Sequence, residues 1–152
     1  MKKYKTLKLF VLFIFIAIAF FFIFKYANTK IEEKKSDDIK TNMLIIQKKV
    51  KTINGIKKVN ADETVLIGTK LSEIENDDIK NKIKNVGVND EELEKYFLLN
   101  IEDFKNMKIY EELSNVSESE YVVNYELEEV IYLNGINTKD ATAYKLSDLN
   151  KQ

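Results

Sequence analysis

Leu9 to Phe24 reads LFVLFIFIAIAFFFIF, sixteen consecutive residues without a polar side chain. A helix rises about 1.5 Å per residue, so the run covers roughly 24 Å of the ~30 Å hydrocarbon core of a bilayer. Leu7 and Ala27 lengthen it once Lys8 and Lys25 are allowed inside, because long lysine side chains reach back to the headgroups. Tyr4 and Tyr26 stand at its two ends, where interfacial aromatic residues collect. Every face of such a helix is apolar, which separates it from the one-sided stripe of a soluble surface helix. The stretch therefore reads as a membrane-spanning helix over residues 9–27.

A cleaved secretory signal is the competing reading. Signals of that kind carry an apolar region of about 7 to 15 residues followed by a small-x-small site. Ala17-Ile18-Ala19 supplies small residues, but Phe20 to Phe24 follow, so a cut there would fall inside the apolar core. Ala27 has Lys25 two places before it. The segment is read as an uncleaved signal anchor. Lys2, Lys3, Lys5 and Lys8 precede the span with no acid among them, and only Lys25 lies close on the other side. That bias puts residues 1–8 in the cytoplasm and everything after the anchor outside the cell membrane, in a single pass.

Beyond the anchor about 125 of the 152 residues remain, enough for one domain with a modest core. Five of the 24 basic residues precede residue 28 and all 25 acids follow it, so the remainder carries a net charge of −6. An acidic domain is a poor partner for nucleic acid and for an anionic leaflet. Absent residues narrow the chemistry further. Without Cys there is no disulfide, thiol nucleophile or thiolate metal site, and without His the commonest general base and zinc ligand are missing. All 24 basic residues are Lys, which removes the bidentate guanidinium clamp for phosphate and carboxylate. Acyl-transfer triads, metallohydrolases and phosphoryl-transfer enzymes are disfavoured together. The expectation is a non-enzymatic protein with no cofactor, metal site or catalytic residue. Abundant Lys, Asn and Ile with no Arg, Pro or Trp matches the codon bias of an AT-rich bacterial genome.

After the anchor, Ile39, Met43, Ile46, Val50 and Ile53 recur at spacings of four and three, one face of an amphipathic helix over residues 28–54. Leu44 and Ile45 widen the stripe beyond a coiled-coil seam, which makes a sheet of the same chain the expected partner. The helix either continues the anchor or follows a break in the polar patch Asn28 to Asp38, and Asn54-Gly55 is the expected stop. Residues 55–152 then form a small α+β domain. Thr64 to Ile67 reads as a short strand, Glu75 to Asn85 as a weak helix, and Asn89 or Asp90 as a cap for Glu91 to Lys95. Tyr96 to Leu99 reads as a compact apolar strand, with Asn100 capping a short helix through Met107. Tyr121 to Tyr125 and Val130 to Leu133 are β-branched and aromatic runs around the acidic turn Glu126 to Glu129. Asn134-Gly135 offers a second reversal and Ala141 to Leu146 a third strand, giving a three-stranded antiparallel meander.

Thr69 to Ile74, Leu99 to Phe104 and Tyr144 to Leu149 share a pattern of strand end, capping Ser or Asn, acid, and apolar residue. It reads as a local capping motif. The acid clusters Asp77-Asp78, Asn89 to Glu92 and Glu126 to Glu129 lack the alternating spacing and distal Glu of a calcium loop and read as caps and solvated faces.

An apolar helix running into an amphipathic one, then an α+β domain closing in an antiparallel meander, resembles the type IV pilin and pseudopilin plan. YVVNYELEEVIY, Tyr121 to Tyr132, is similar to the late hairpin of pilin-like proteins in low-GC Gram-positive bacteria. The resemblance implies a pilin-like assembly subunit whose apolar helices bundle. The chain departs from it in having no Gly before Gly55 and no acid before Glu32, where a pilin has its cleavage glycine and an early glutamate. The expected partners are membrane lipid, through residues 9–27, and protein, through self-association or another chain, with no nucleic acid. The alternative expectation is an accessory or ligand-sensing subunit that modulates a membrane-bound partner.

Overall fold

The computed structural model describes residues 2–59, 66–138 and 141–149. The chain divides into two units, Met1–Lys35 and Ser36–Gln152. Helix α1 (Lys2–Val59) contributes to both, and the Asn28 to Asp38 patch is helical. In the first unit the side chains described, from Phe13 to Lys35, are all exposed, including Phe20 at 68% and Phe24 at 70%.

The second unit is a five-stranded antiparallel sheet in the order β1 (Thr69–Lys70), β2 (Tyr96–Leu99), β3 (Tyr121–Asn124), β4 (Glu129–Asn137) and β5 (Thr142–Lys145). Each strand pairs with its neighbour in sequence, so the meander is real but wider than the three strands expected. The fold class is α+β. Met43, Ile46, Val50 and Ile53 of α1 are buried as the periodicity requires, and Ile39 packs at their edge. They meet Phe97 and Leu99 of β2, Val123 of β3, and Val130 and Tyr132 of β4. Leu44 stays 46% exposed, so the stripe is narrower than its apolar residues suggest.

The opposite face of the sheet is covered too. Leu98, Val122, Ile131 and Leu133 pack with Leu71 and Val88 and with Ile83 of helix α2 (Asp77–Asn85). Strands alternate their side chains between faces, so burial on both sides turns the usual apolar-polar alternation into continuous apolar runs. That is why YFLL is buried at every position. Asn76 caps α2 by accepting the amides of Asp78 and Ile79. Helix α3 (Ile101–Asn106) begins with the expected Asn100, here in a reciprocal capping box with Asp103. Asp90–Lys95 is a 3₁₀ segment, and Asn89 before it makes no side-chain cap.

Four expectations are corrected. Asn54-Gly55 does not stop α1, which continues to Val59. Asn54 is buried and donates to the Glu128 carboxylate (2.9 Å), and this anchorage outweighs the ~1 kcal/mol by which Gly disfavours a helix relative to Ala. Leu66 and Ile67 are not strand, and Thr64 and Val65 lie outside the described residues; the strand falls at Thr69–Lys70. Gly68 (φ +109°) precedes it so tightly that a Cβ would sit 2.9 Å from the Leu98 carbonyl oxygen. Asn134-Gly135 is not a reversal. Gly135 (φ +69°) lies inside β4, where the pairing with β5 shifts register between Ile131 and Ile136, a bulge that needs the same backbone freedom as a turn. The chain reverses later, where Thr138 and Ala141 bond to each other. Finally, each copy of the short recurrence is a strand followed by a helical turn, at Leu71–Glu73, α3 and α4 (Leu146–Leu149). Ser72 and Ser147 lie within their turns, so only Asn100 caps.

With no disulfide available, the adhesion of α1 to the sheet rests on packing of the apolar stripe. Ile46→Ala is expected to destabilise the domain by about 2–5 kcal/mol, the range for truncating a fully buried Ile. Leu44→Ala on the same helix should change it by less than about 1 kcal/mol. Denaturant unfolding of the detergent-solubilised protein measures both.

Candidate functional site

Among the described residues no group of three or more His, Cys, Asp or Glu is placed to hold a metal ion. Three polar features of the second unit bear on function.

The first is a row across one sheet face. Tyr96 lies beside Asn124, which lies beside Glu129 in the strand register. The Tyr96 hydroxyl donates to Glu129 Oε2 (3.2 Å), and Lys145 Nζ lies 3.6 Å from the same oxygen. Burial, then the Glu129 charge, pushes the Tyr96 hydroxyl up to about 12. It is protonated at neutral pH and serves as a donor to the Glu129 carboxylate. Asn124 is buried and its Nδ2 makes no hydrogen bond of ordinary geometry. The row ties neighbouring strands together.

The second is the hairpin tip, Tyr125 to Glu128. Asn124 Oδ1 accepts the amides of Glu126 and Leu127, both at 3.0 Å. Gln47 Nε2 of α1 donates to the Glu128 carbonyl (3.0 Å), and Asn54 holds the Glu128 carboxylate. Glu128 itself sits in the left-handed region (φ +53°). The Tyr125 hydroxyl donates to the Ile67 carbonyl (2.7 Å). Fixed by these ties, the tip presents Leu127, 66% exposed. Among the described residues it is the only strongly exposed large apolar side chain outside α1.

The third is an open groove of about 460 Å³ between α1 and the segment after α3. Leu44, Ile45, Lys48 and Lys49 line it from α1, and Lys108 and Glu112 from the far side. Lys108 is placed by the end of α3. Its amide bonds the Lys105 carbonyl and that of Ile109 bonds the Phe104 carbonyl, the paired bonds of a Schellman ending. The residue between them must be left-handed, a place usually given to Gly, and Lys108 occupies it at φ +59°.

A buried clamp holds the loop before β3. Asn42 donates to the Ser114 carbonyl (2.8 Å) and to the Tyr121 hydroxyl (3.3 Å), and accepts the Ser114 amide (2.9 Å). Burial raises both Tyr121 and Tyr132 above the ordinary tyrosine range.

No family model matches the chain, and neither a curated protein nor a solved structure does.

In sequence, Glu126 to Glu129 reads as a plain acidic turn, and no motif marks Lys48 or Lys49. The side chains that complete these features are about sixty to eighty residues distant along the chain. One local clue is available: Lys108 follows a capped helix with no Gly to end it.

The tyrosines predict the alkaline behaviour. A hydroxyl whose pKa is raised on folding contributes stability that is complete below its unfolded value of 10 and is lost as pH rises toward the folded value. Stability should therefore fall between pH 10 and about 12, and Tyr96→Phe should make that decline shallower. Unfolding followed by circular dichroism across this range measures it.

Proposed function

We propose that the protein is a non-enzymatic, single-pass membrane protein whose acidic domain stands outside the cell membrane and acts through protein–protein contacts, as a pilin-like assembly subunit. One observation carries the reading. From Phe13 to Phe24 every side chain of α1 is exposed, all of them apolar, while the second unit buries its own core. Apolar surface of that extent around the whole circumference of a helix belongs in lipid or against other helices. Among the described residues α1 is the one helix long and apolar enough to cross a membrane. Four lysines before the span, against Lys25 alone close behind it, support a cytoplasmic amino terminus.

Protein contact rather than chemistry is supported by what the second unit offers. It has a rigid apolar tip and a lysine-edged groove, with no His, Cys or Arg anywhere in the chain. The groove equally suits an accessory subunit that grips a separate membrane-bound partner, which is the second reading.

Membrane fractionation tests the anchor. The chain should remain with carbonate-washed membranes, dissolve only in detergent and give the mass of the unprocessed polypeptide. Deleting residues 9–27 should release the domain into the soluble fraction. Recovery of the complete chain in solution without detergent or aggregation overturns the reading.

A further inference from the structure

The groove and the hairpin tip lie on different sides of α1, with Leu44 at the groove's margin nearest the tip. Gln47 and Asn54, which hold the tip, are seven residues apart and so share one edge at 3.6 residues per turn. Ile45, Lys48, Lys49 and Thr52 of the groove lie around the far side. We propose that the tip of one copy, Glu126-Leu127, seats in the α1 groove of the next copy, with Leu127 on Leu44 and Glu126 among Lys48, Lys49 and Lys108. The proposal deepens the assembly reading and rests on it.

Charge and apolarity complement each other across the two surfaces. The groove carries three lysines against the single carboxylate of Glu112, and its Leu44 is 46% exposed. The tip pairs an acid with the exposed Leu127. Both surfaces are preorganised, which lowers the ordering cost of association. Each also holds a non-glycine residue in the left-handed region, Glu128 beside the tip and Lys108 in the groove. Backbone strain of this kind persists where the surroundings enforce it. At Lys108 glycine would relieve the strain but would lose the ammonium. The two surfaces differ, and the proposed contact is head-to-tail, each copy giving its tip to one neighbour and its groove to another. Such a contact leaves a free groove and a free tip at the ends of a row of copies, whereas a reciprocal pair would close as a two-fold dimer and give no ladder in the test below.

The absence of native Cys makes the test clean. Full-length protein in membranes, as Leu44→Cys, Leu127→Cys or both, is treated with a short bis-maleimide. The double variant should give a ladder of multimers, and the two single variants should link to each other only when mixed. Lys48→Glu with Lys49→Glu should cut linking about tenfold, and Glu126→Lys added to that pair should restore it. Lys108→Gly should raise the unfolding midpoint and still weaken linking, which a purely structural lysine would not do. Two outcomes overturn the proposal while leaving assembly intact. One is the absence of any product joining the groove thiol to the tip thiol in protein that remains oligomeric. The other is a tip-to-tip dimer of the Leu127→Cys variant in place of that product. A protein that is monomeric in membranes overturns the assembly reading along with it, as does a groove thiol that links solely to a different chain.

Discussion

Met43, Ile46, Val50 and Ile53 decide whether the second unit exists. Opposite them stand Phe97, Leu99, Val123, Val130 and Tyr132, a sheet face that would meet water if the helix left. Each fully buried aliphatic side chain contributes about 1.5–3 kcal/mol by leaving water, and no cross-link shares the task. Polar ties then fix the register of the contact. Asn42 locks the loop at Ser114, and Gln47 and Asn54 lock the hairpin at Glu128. The apolar stripe supplies the adhesion, and the three amides determine which parts of the chain meet.

Legibility in the sequence followed the range of the forces. Tyr96–Leu99 and the Asn100 cap were readable because a β-rich run and an N-cap are set by neighbouring residues. The α1 stripe was readable because helical period and burial coincide. Asn54-Gly55 misled because the partner that holds Asn54 is Glu128, seventy-four residues on. Gly135 misled because a turn and a bulge ask for the same positive φ, and only the pairing of β4 with β5 separates them. The two-residue β1 is too short to leave a pattern, and it forms because Gly68 lets the chain press against β2.

The candidate contact surface was less legible than the fold. An acidic turn is ordinary in sequence, and three lysines scattered between positions 48 and 108 make no motif. Their meaning lies in placement. Asn124 folds the tip through two backbone amides, and the ending of α3 sets a lysine where glycine is usual. Composition had already restricted the possible chemistry, so what remains distinctive is shape and charge at two edges of one helix.

The nearest-neighbour order of the sheet has a consequence for how the chain is made. Its strands can zip one after another as they emerge, but the helical stripe that must cover them is synthesised first. Val50 precedes Val130 by about eighty residues, which at 5–20 residues per second is a wait of roughly 4–16 s. Through that interval the nascent stripe is adhesive and uncovered, a short way along the chain from the apolar run that precedes it. Biogenesis therefore calls for a temporary cover, a chaperone or the translocation machinery itself, until the last strands arrive to displace it.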